Sequence, residues 1–564
     1  MLFLALWGRL AWLQLYQGEE LAGEAIALRT RQIDIREYPR GEILDRNGLP
    51  LTDATLTTAL YVMPDEMLKE TPGAVSRTGL KDGTKLEELS SRVAECLNRR
   101  NPSSIKRSLI KAGTNGAAAV RVASDLSGEE TNRIKRSELP GLLVAPAIKR
   151  YGEDGLAVHL LGYVGEGDSF RGMAGLEKTH DGLLREAQSA PRLVSLQDAR
   201  GMAIKGSPPR LMTPASPSLN SVVLTIDKRV QQTVEKAMNS RVGKGAVVVM
   251  DVRSKEILAM ASRPLYNPYT VEQTIKSDRN GSLNNRALMA YPPGSLFKLL
   301  VAVAALEEGV VKTDETFSCT GQYRFNDQVA ISCWKKEGHG AIRFADAFAQ
   351  SCNSVFIETG LRLGRERLEG YVKRVHLDNE DIGGFNYGSS GSGVLIDGGP
   401  AAQGNASIGQ QGVMLSPLQL CSLVATIADH GRWGQPSLVS YTVDSHGQRK
   451  YYAKGETQQV IKRETAETVQ GLMVKTVRQG TGVNAAPLEV AAAGKTGTGQ
   501  TGNLGRDQKE ILNSWFAGYF PAEKPHWAVV VLVEESRSGA QDAAPVFKNI
   551  AEEMVKTLGV NENN

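Results

Sequence analysis

A serine and a lysine three residues apart are the first candidates for chemistry in this sequence. In YPPGSLFK, residues 291 to 298, Ser295 follows a Pro-Pro-Gly turn and opens an apolar run. Residues three apart on a helix share a face, so Lys298 is predicted to project over Ser295. Burial and a second nearby cation lower a lysine pKa, and a neutral amine can accept a serine proton. The pair therefore predicts a serine nucleophile with a lysine base.

A second polar pair, Ser351 and Asn353, lies in AFAQSCNSVFIETG between two helix-like runs. Neither pattern is specific by itself, because most such matches are solvated helix faces, turns or caps. The chain contains further Ser-x-x-Lys and Ser-x-Asn matches, namely Ser103/Lys106, Ser108/Lys111, Ser218/Asn220 and Ser282/Asn284. The setting of Ser295, between a Pro-Pro-Gly turn and a wholly apolar helix, distinguishes it from these.

The third pattern, AAAGKTGTG, occurs once and carries Lys495, Thr496, Gly497 and Thr498. Gly-Lys-Thr also ends a phosphate-binding loop, but that motif needs a glycine where this chain has Glu489. On a strand beside Ser295, Lys495 would supply the second cation and attract a carboxylate. Gly497 would let a substrate backbone approach closely.

Three cysteines and one histidine lie in the stretch that leads into the second polar pair: Cys319, Cys333, His339 and Cys352. Three thiolates and one imidazole can form a closed tetrahedral zinc site, although the spacing is longer than in zinc fingers. A Cys319–Cys333 disulfide, which an extracytoplasmic setting permits, and unpaired buried thiols are the alternatives. Cys96 and Cys421 lie in apolar helical contexts and are predicted to be core residues.

The elements that must position these side chains follow from hydrophobic periodicity. Residues 222 to 226 predict a strand, and Asp227 is predicted to cap the helix that follows. Residues 245 to 250 and 256 to 261 predict a hairpin, and residues 513 to 520 and 526 to 534 predict two more strands. A last amphipathic helix carries one apolar face, formed by Val546, Phe547, Ile550, Met554 and Leu558. This order predicts an α/β (α+β) domain, residues 221 to 564, whose central antiparallel sheet is flanked by helices and interrupted by a mostly helical insertion.

Length and composition bound the remaining possibilities. A chain of 564 residues, 41% hydrophobic and 23% charged, can bury more than one core, so at least two domains are expected. A formal net charge of +4 without a dense basic block argues against nucleic-acid binding. Pro, Ser and Ala become frequent from about residue 187 and predict a boundary near residue 220. The part before this boundary is expected to be mixed and β-rich, with strands and turns between residues 30 and 55.

The N-terminal residues, MLFLALWGRLAWLQLY, are apolar except for Arg9 and Gln14. Trp7, Trp12 and Tyr16 suit a membrane interface. A span needs about 20 apolar residues, and no small-residue cleavage site follows. We therefore expect residues 1 to 16 to be the outer end of an uncleaved, single-pass anchor whose upstream part is missing, with the bulk of the chain outside the cell membrane. A buried N-terminal helix is the alternative.

In their order, Ser-x-x-Lys, Ser-x-Asn and Lys-Thr-Gly match the three signatures of penicillin-recognising serine enzymes. With them the chain resembles the class B, monofunctional penicillin-binding proteins over nearly its whole length. YPPGS, in place of a Glu-Pro-Gly-Ser version, favours the elongation-type penicillin-binding protein 2 branch. Further stretches that resemble family landmarks are RGEILDRNG (40 to 48), LLGYVGE (160 to 166), GLEKTHDGLL (175 to 184), LTIDKRVQ (224 to 231), NRAL (285 to 288) and WFAGYFP (515 to 521).

The resemblance implies a peptidoglycan D,D-transpeptidase of cell-wall synthesis and cell shape, with β-lactams as covalent inhibitors. It makes Ser295 the acylated nucleophile and Lys298 its base. Ser351 would relay a proton to the leaving amine, and Asn353 would contact a substrate amide. Thr496 and Gly497 would line the substrate, while Lys495 and Thr498 hold its carboxylate. The oxyanion would lie between the backbone N–H groups of Ser295 and Thr498. The donor is a stem peptide ending in D-Ala-D-Ala, and catalysis needs no metal or other cofactor.

The resemblance further implies that residues 17 to 220 are a non-catalytic pedestal of the penicillin-binding protein dimerisation type, and that a SEDS-type glycan polymerase is a partner. Members of the elongation branch hold structural zinc beside the second motif, with ligands placed like His339 and Cys352. Cys319 and Cys333 would replace their carboxylates. A D,D-carboxypeptidase or β-lactamase, which uses water as acceptor, and a non-catalytic β-lactam sensor or scaffold are the alternatives. The pedestal and anchor favour transpeptidation, and the intact motifs argue against a sensor.

Overall fold

A computed structural model describes the chain in a series of ranges. All elements named for this protein belong to those residues. The ranges are 2–18, 21, 30–34, 40–63, 83–97, 102–115, 119–137, 139, 141–165, 171–185, 192–196, 210–212, and 220–559 apart from 389–390, 454, 506–507 and 537–538.

The N-terminal part is mixed and contains two small antiparallel sheets, with strand orders β1-β6-β7 and β4-β3-β5. In β3, Leu60 and Val62 pack beneath two helices while Ala59 and Tyr61 join a different cluster, which is the period-two alternation of a strand. The elements are α1 (Leu2–Leu15), β1 (Thr30–Asp34), β2 (Glu42–Leu44), β3 (Thr55–Val62), α2 (Gly83–Glu95), α3 (Pro102–Asn115), β4 (Val120–Ala123), α4 (Gly128–Arg136), β5 (Leu142–Lys149), α5 (Val158–Leu161), α6 (Gly175–Thr179), α7 (Asp181–Arg185), β6 (Arg192–Leu196) and β7 (Arg210–Met212).

The segment after residue 220 begins as the sequence predicts, with β8 (Ser221–Leu224) and α8 (Lys228–Asn239). The Asp227 side chain accepts a hydrogen bond from the Arg229 N–H at 2.9 Å and so caps α8. Strand β2 pairs in parallel with β8, which places a four-stranded sheet across the predicted boundary. The boundary itself stays a prediction, since most of residues 187 to 219 lie outside the described residues.

A five-stranded antiparallel sheet forms the centre of the C-terminal part, in the order β10-β9-β23-β22-β21. Successive valines of β9 face opposite sides: Val248 joins the core under α15, whereas Val247 and Val249 pack towards α8 and α17. Helices therefore cover both faces, and the inner strands β9 and β23 are mostly apolar. The strands are β9 (Gly245–Asp251), β10 (Ile257–Arg263), β21 (Ala493–Leu504), β22 (Glu510–Phe520) and β23 (Trp527–Ser536), and the helices are α15 (Pro417–Ala428) and α17 (Ala544–Leu558).

The insertion between β10 and β21 is mostly helical, with short strand pairs. Its helix α10 is buried on every side, which explains an apolar sequence without a polar face. The elements are α9 (Val271–Ser277), α10 (Lys298–Glu307), β11 (Thr316–Cys319), β12 (Gln322–Arg324), β13 (Ala330–Ser332), β14 (Gly340–Arg343), α11 (Phe344–Ala349), α12 (Asn353–Leu363), α13 (Arg365–Arg374), β15 (Gly393–Val394), α14 (Pro400–Ser407), β16 (Val413–Met414), β17 (Arg432–Trp433), β18 (Val439–Val443), β19 (Arg449–Tyr451), β20 (Gln458–Gln459) and α16 (Arg463–Gln479).

The predicted fold class, with its central antiparallel sheet flanked by helices and its mixed N-terminal part, is confirmed. Helix α1 covers most of the apolar N-terminal run, and several of its large side chains are exposed, with Phe3 at 82% and Trp7 at 73%. Within the described ranges, no helix is both long and apolar enough to cross a membrane.

Candidate active site

Ser295 lies on a 3₁₀ turn, Gly294–Leu296, immediately before α10. The sequence places this serine on the α-helix itself; the regular helix instead begins at Lys298. Gly294 has φ +54°, and a Cβ there would lie 2.1 Å from the Thr498 carbonyl oxygen. Only glycine allows this backbone conformation next to a neighbouring strand. The turn's own hydrogen bonds begin at Leu296, whose N–H donates to the Pro293 carbonyl, so the Ser295 N–H precedes them.

The Lys298 amine is fully buried and directed towards the loop between α11 and α12. It donates to the Asn353 Oδ1 at 2.7 Å and to the Ser351 carbonyl at 2.9 Å, and lies 3.4 Å from the Ser351 Oγ. Burial lowers the pKa of Lys298 to about 8, against an opposing effect of the Cys352 and Cys333 thiols. The direction is the one expected from the sequence.

These partners determine how a neutral Lys298 amine is oriented. A carbonyl oxygen only accepts hydrogen bonds, so the Ser351 carbonyl and the Asn353 amide oxygen occupy both N–H groups of a neutral amine. The remaining lone pair is then available to a hydroxyl. The Ser295 hydroxyl makes no hydrogen bond with any residue in the described part of the chain, and Ser351 Oγ is the hydroxyl in contact with Lys298.

The loop carrying Ser351 and Asn353 lies between α11 and α12, as predicted. Ser351 has φ +55°, a conformation unusual for a residue with a side chain, and is nearly buried. Asn353 is the first residue of α12, and its Nδ2 donates to the Ser332 carbonyl at 3.1 Å. Its side chain therefore links β13 to Lys298.

The third motif lies on β21, the edge strand of the central sheet, and packs against the nucleophile's turn. Lys495 is fully buried, and its amine donates to the Thr496 carbonyl at 3.2 Å. Burial, and next the charge of Lys298, hold the pKa of Lys495 well below its ordinary value. A Cβ at Gly497 would lie 2.8 Å from the Pro293 carbonyl oxygen. Gly497 thus allows the Pro-Pro-Gly turn before Ser295 to approach β21 closely, whereas the sequence predicted the close approach of a substrate backbone there.

The sequence patterns did not single out a charged network that holds the nucleophile's turn. Glu534 Oε1 accepts from Arg286 Nε at 2.6 Å and from the Tyr291 hydroxyl at 2.9 Å. The Tyr291 ring packs edge to face on Trp515, whose indole N–H donates to the Pro292 carbonyl at 3.2 Å. The stretches NRAL and YPPGS contain Arg286 and Tyr291, but their partner is distant in sequence.

Thr481 was also missed. Its hydroxyl lies 2.6 Å from that of Thr496, and its N–H donates to the Ala349 carbonyl at 3.0 Å. The residue therefore joins the third motif to the helix end that precedes Ser351. A lone threonine in a Gly-Thr-Gly turn gives no sequence signal for such a contact.

The other matches to the first two motifs lie elsewhere. Ser103 and Ser108, with their lysines, are on α3 of the N-terminal part, away from the central sheet. Asn284 belongs to a loop before the nucleophile, and Ser218 lies outside the described residues.

The cysteine and histidine cluster predicted from the sequence is brought together beside the second motif. One ligand atom from each of four residues lies within 4.8 Å of the others, namely Cys319, Cys333, His339 and Cys352. Cys333 Sγ is 3.9 Å from Cys352 Sγ and 3.7 Å from His339 Nδ1. Contact between the two thiols lowers the pKa of Cys333 and raises that of Cys352.

These two separations are close to those between ligand atoms in a tetrahedral zinc site, and Cys319 and Cys333 form no disulfide with each other, since both are free thiols. A tetrahedral zinc ion with sulfur at 2.3 Å has sulfur–sulfur edges of about 3.8 Å and sulfur–nitrogen edges of about 3.6 Å, whereas a disulfide requires about 2.05 Å. All five cysteines, which are described throughout, are free thiols. The His339 Nε2 is buried without a hydrogen-bond partner among the described residues. Cys96 and Cys421 are buried core residues, as predicted.

Comparison with known proteins agrees with this arrangement. The penicillin-binding protein transpeptidase domain matches residues 245–552, and the penicillin-binding protein dimerisation domain matches residues 36–190. The transpeptidase match alone covers more than half of the chain, so the chain belongs to the penicillin-binding protein transpeptidase family.

Individual relatives match over most of both chains. Stage V sporulation protein D of Bacillus subtilis is 28% identical over 99% of this chain and 84% of its own length. Peptidoglycan D,D-transpeptidase MrdA of Acinetobacter baumannii is 26% identical over 96% of this chain and 85% of its own. Among solved structures, the D,D-transpeptidase domain of a peptidoglycan glycosyltransferase from Eggerthella lenta is similar, with TM-score 0.60 and 26% identity over 74% of this chain and 94% of that chain.

The predicted class B penicillin-binding protein, with a transpeptidase function in cell-wall synthesis, is thereby confirmed. The relatives include Peptidoglycan D,D-transpeptidase FtsI of Escherichia coli, 27% identical over 98% of this chain and 89% of its own length, besides the sporulation protein and MrdA. Because these relatives carry different names at similar identity, they do not single out the elongation-type branch, which stays a prediction.

Proposed function

We propose that this chain is a serine-type peptidoglycan D,D-transpeptidase that forms its acyl-enzyme on Ser295. The observation that carries the proposal is the buried Lys298 amine. Lys298 lies three residues after Ser295, and its pKa is lowered to about 8. Two carbonyl oxygens, from the Ser351 backbone and the Asn353 side chain, accept its N–H groups. A lysine in this state has a neutral fraction near pH 7 and a lone pair for a hydroxyl proton.

In acylation, the Lys298 amine accepts the Ser295 proton while Oγ attacks the carbonyl carbon of the penultimate D-Ala. The carbonyl π electrons move onto the oxygen, which the N–H groups of Ser295 and Thr498 stabilise by about 3 kcal/mol per donor. Collapse of this intermediate breaks the peptide bond, and the leaving amine of the terminal D-Ala takes its proton through Ser351, which touches Lys298. A second stem's amine then attacks the ester, forms the cross-link and frees Ser295.

The same site supplies groups for the rest of the substrate. The side chain of Asn353 binds Lys298 through its oxygen and would contact a stem amide. Lys495 and Thr498 would hold the terminal carboxylate, with Thr496 and Gly497 forming the strand between them. An arriving carboxylate would favour the charged form of Lys495, which burial otherwise disfavours.

Labelling with a fluorescent penicillin tests the serine assignment. We expect covalent labelling of the protein, blocked by prior incubation with unlabelled penicillin and lost in Ser295→Ala. Ser103→Ala, which alters an exposed match to the same motif, serves as the control and should label normally. Labelling that survives in Ser295→Ala would refute the proposal. Incubation with stem peptides and an added acceptor amine would then distinguish transpeptidation from hydrolysis, because only transpeptidation joins the stem peptide to the amine.

We also propose that Cys319, Cys333, His339 and Cys352 hold a structural zinc ion. The contacts between their ligand atoms support this. Zinc, when bound, would supply cross-linking rather than catalysis. Because Cys352 lies between Ser351 and Asn353, the ligands would fix the loop that contacts Lys298.

Metal analysis under reducing conditions tests the zinc proposal. We expect about one zinc per chain, little in Cys333→Ser, and an unchanged content in Cys96→Ser, which alters a remote buried cysteine. Chelation should lower the melting temperature of the wild type and leave that of Cys333→Ser unaffected. Less than about half an equivalent of zinc in the wild type would contradict the proposal.

For location, we propose attachment to the cell membrane through α1, with the bulk of the chain outside the cell. The exposed aromatic and aliphatic side chains of α1 support this. Flotation of the full chain with liposomes should be lost when Trp7 and Trp12 are replaced by Glu, and retention of flotation would contradict it. We also propose that a SEDS-type glycan polymerase, the partner that the resemblance implies, binds this chain.

A further inference from the structure

One loop contacts both backbone segments that would bind the oxyanion. The Gly409 carbonyl accepts the Gly294 N–H at 2.9 Å, next to Ser295. A Cβ at Gly409, where φ is +72°, would lie 2.0 Å from the Gly294 carbonyl oxygen, and one at Gly294 would lie 2.1 Å from the Thr498 carbonyl oxygen. The loop, the nucleophile's turn and β21 therefore meet backbone to backbone, with no side chain between them.

The next residue, Gln410, uses its side chain as a substitute for a neighbouring strand. Its Nε2 donates to the Thr498 carbonyl at 3.2 Å, and its Oε1 accepts from the Gln500 N–H at 3.1 Å. One residue of an added parallel strand would make the same two bonds, its N–H to the C=O of residue i and its C=O to the N–H of residue i+2 of an edge strand. Strand β21 is such an edge, because β22 is its sole partner in the central sheet of the described chain.

This pairing fixes the direction of the Thr498 N–H. In an antiparallel strand, the N–H and C=O of one residue lie on the same side. Since the Thr498 C=O faces Gln410, its N–H also points away from β22, towards the side on which Ser295 lies. The Gln410 amide also occupies the Thr498 C=O and the Gln500 N–H, so an added peptide cannot continue along the edge beyond the Thr498 N–H without displacing it.

We infer that Gln410 is a positioning residue for the oxyanion hole: it fixes the Thr498 peptide and ends the strand edge available to substrate. This inference rests on the proposed acyl-enzyme at Ser295. Gln410 does not touch the reacting atoms, and acts through the backbone of Thr498. Its effect should therefore appear in the chemical steps, in which an oxyanion forms, more than in the initial binding of ligand.

The test compares Gln410→Ala and Gln410→Met with the same substitutions at Gln411. Gln411 is the exposed neighbour and has no hydrogen bond among the described residues. Met keeps the length of Gln without its hydrogen bonds, so it separates the amide contacts from the volume of the side chain. Stopped-flow labelling with a fluorescent penicillin gives the dissociation constant of the first complex and the acylation rate constant separately. Release of the bound label gives deacylation.

For both Gln410 variants we expect acylation to slow about tenfold, because a misplaced oxyanion donor costs catalysis steeply. Deacylation passes through the same hole and should slow by a similar factor. The dissociation constant should stay within about twofold of that in the Gln411 variants, and the melting temperature should show a folded protein.

Acylation rates equal to those of the Gln411 variants would overturn the inference. A loss confined to the dissociation constant would also overturn it, as would a loss explained by the unfolded fraction alone. The Ser295→Ala control keeps the two proposals apart. Labelling in that variant would refute the acyl-enzyme itself, whereas lost labelling with normal Gln410 kinetics would refute only the positioning role.

Discussion

Acylation of Ser295 is predicted to accelerate between pH 7 and pH 9. The base must be neutral to accept the hydroxyl proton, and burial lowers the pKa of Lys298 to about 8. The groups that face Lys298 are the Cys352 and Cys333 thiols, which raise its pKa, and Lys495 across the site. Because the neutral form is the active one, the rate rises as pH passes the pKa of Lys298.

The size of the effect follows from this pKa. With a pKa of about 8, about one tenth of Lys298 is neutral at pH 7 and about nine tenths at pH 9. Acylation should therefore increase about tenfold over this interval and level off above it. With the ordinary lysine pKa of 10.5, the rate would still rise in proportion to hydroxide at pH 9.

The assay is single-turnover labelling with a fluorescent penicillin from pH 6 to pH 10. Asn353→Asp provides a matched second measurement, because it places a carboxylate where the amide oxygen lies 2.7 Å from the amine. An opposite charge at this distance should raise the midpoint by about 1 to 3 pH units. A rate that is flat or falls between pH 7 and pH 9, or a midpoint unchanged in Asn353→Asp, would refute the assignment of Lys298 as the base.

Three further predictions concern residues that hold the site or the fold. Thr481→Val removes the hydroxyl partner of Thr496 and should slow penicillin labelling about fivefold, near 1 kcal/mol, while Thr481→Ser labels normally; equal rates would contradict the contact. Glu534→Gln weakens its bonds to Arg286 and Tyr291, and should lower the free energy of unfolding in urea by about 2 kcal/mol and slow labelling. Glu177→Gln leaves Arg40 and Arg150, which are largely buried, with a weaker partner, and should lower the free energy of unfolding in urea by about 3 kcal/mol. The same substitution at the exposed Glu153 should leave it nearly unchanged.

The spacing of apolar residues within short stretches of the sequence largely predicted the secondary structure. The hairpin of β9 and β10, the strands β22 and β23 and the final helix were predictable because apolar residues recur at the period of each element. The cap at Asp227 was predictable for a local reason, since its side chain bonds the second N–H after it. Such features depend on neighbours within a few residues, which the sequence contains directly.

The order of the three motifs predicted that Ser295, Ser351, Asn353 and the Lys495 strand meet, and the structure brings them together. The boundary between turn and helix at Ser295 was less predictable. Gly294 adopts a positive φ because Thr498 of a distant strand approaches it. A local pattern cannot show a backbone that lies two hundred residues later.

Residue types and their spacing were enough to identify the groups that can do chemistry, namely a serine before a lysine on an apolar helix and a Lys-Thr-Gly motif that occurs once. They also grouped Cys319, Cys333, His339 and Cys352, although not their geometry. The folded structure was needed to show that Lys298 binds the Ser351 loop and that Glu534 accepts a hydrogen bond from Tyr291. It alone showed that Gln410 completes the edge of β21. The physical reason is that these contacts join groups far apart in sequence, whose approach depends on the packing of whole elements rather than on local propensity.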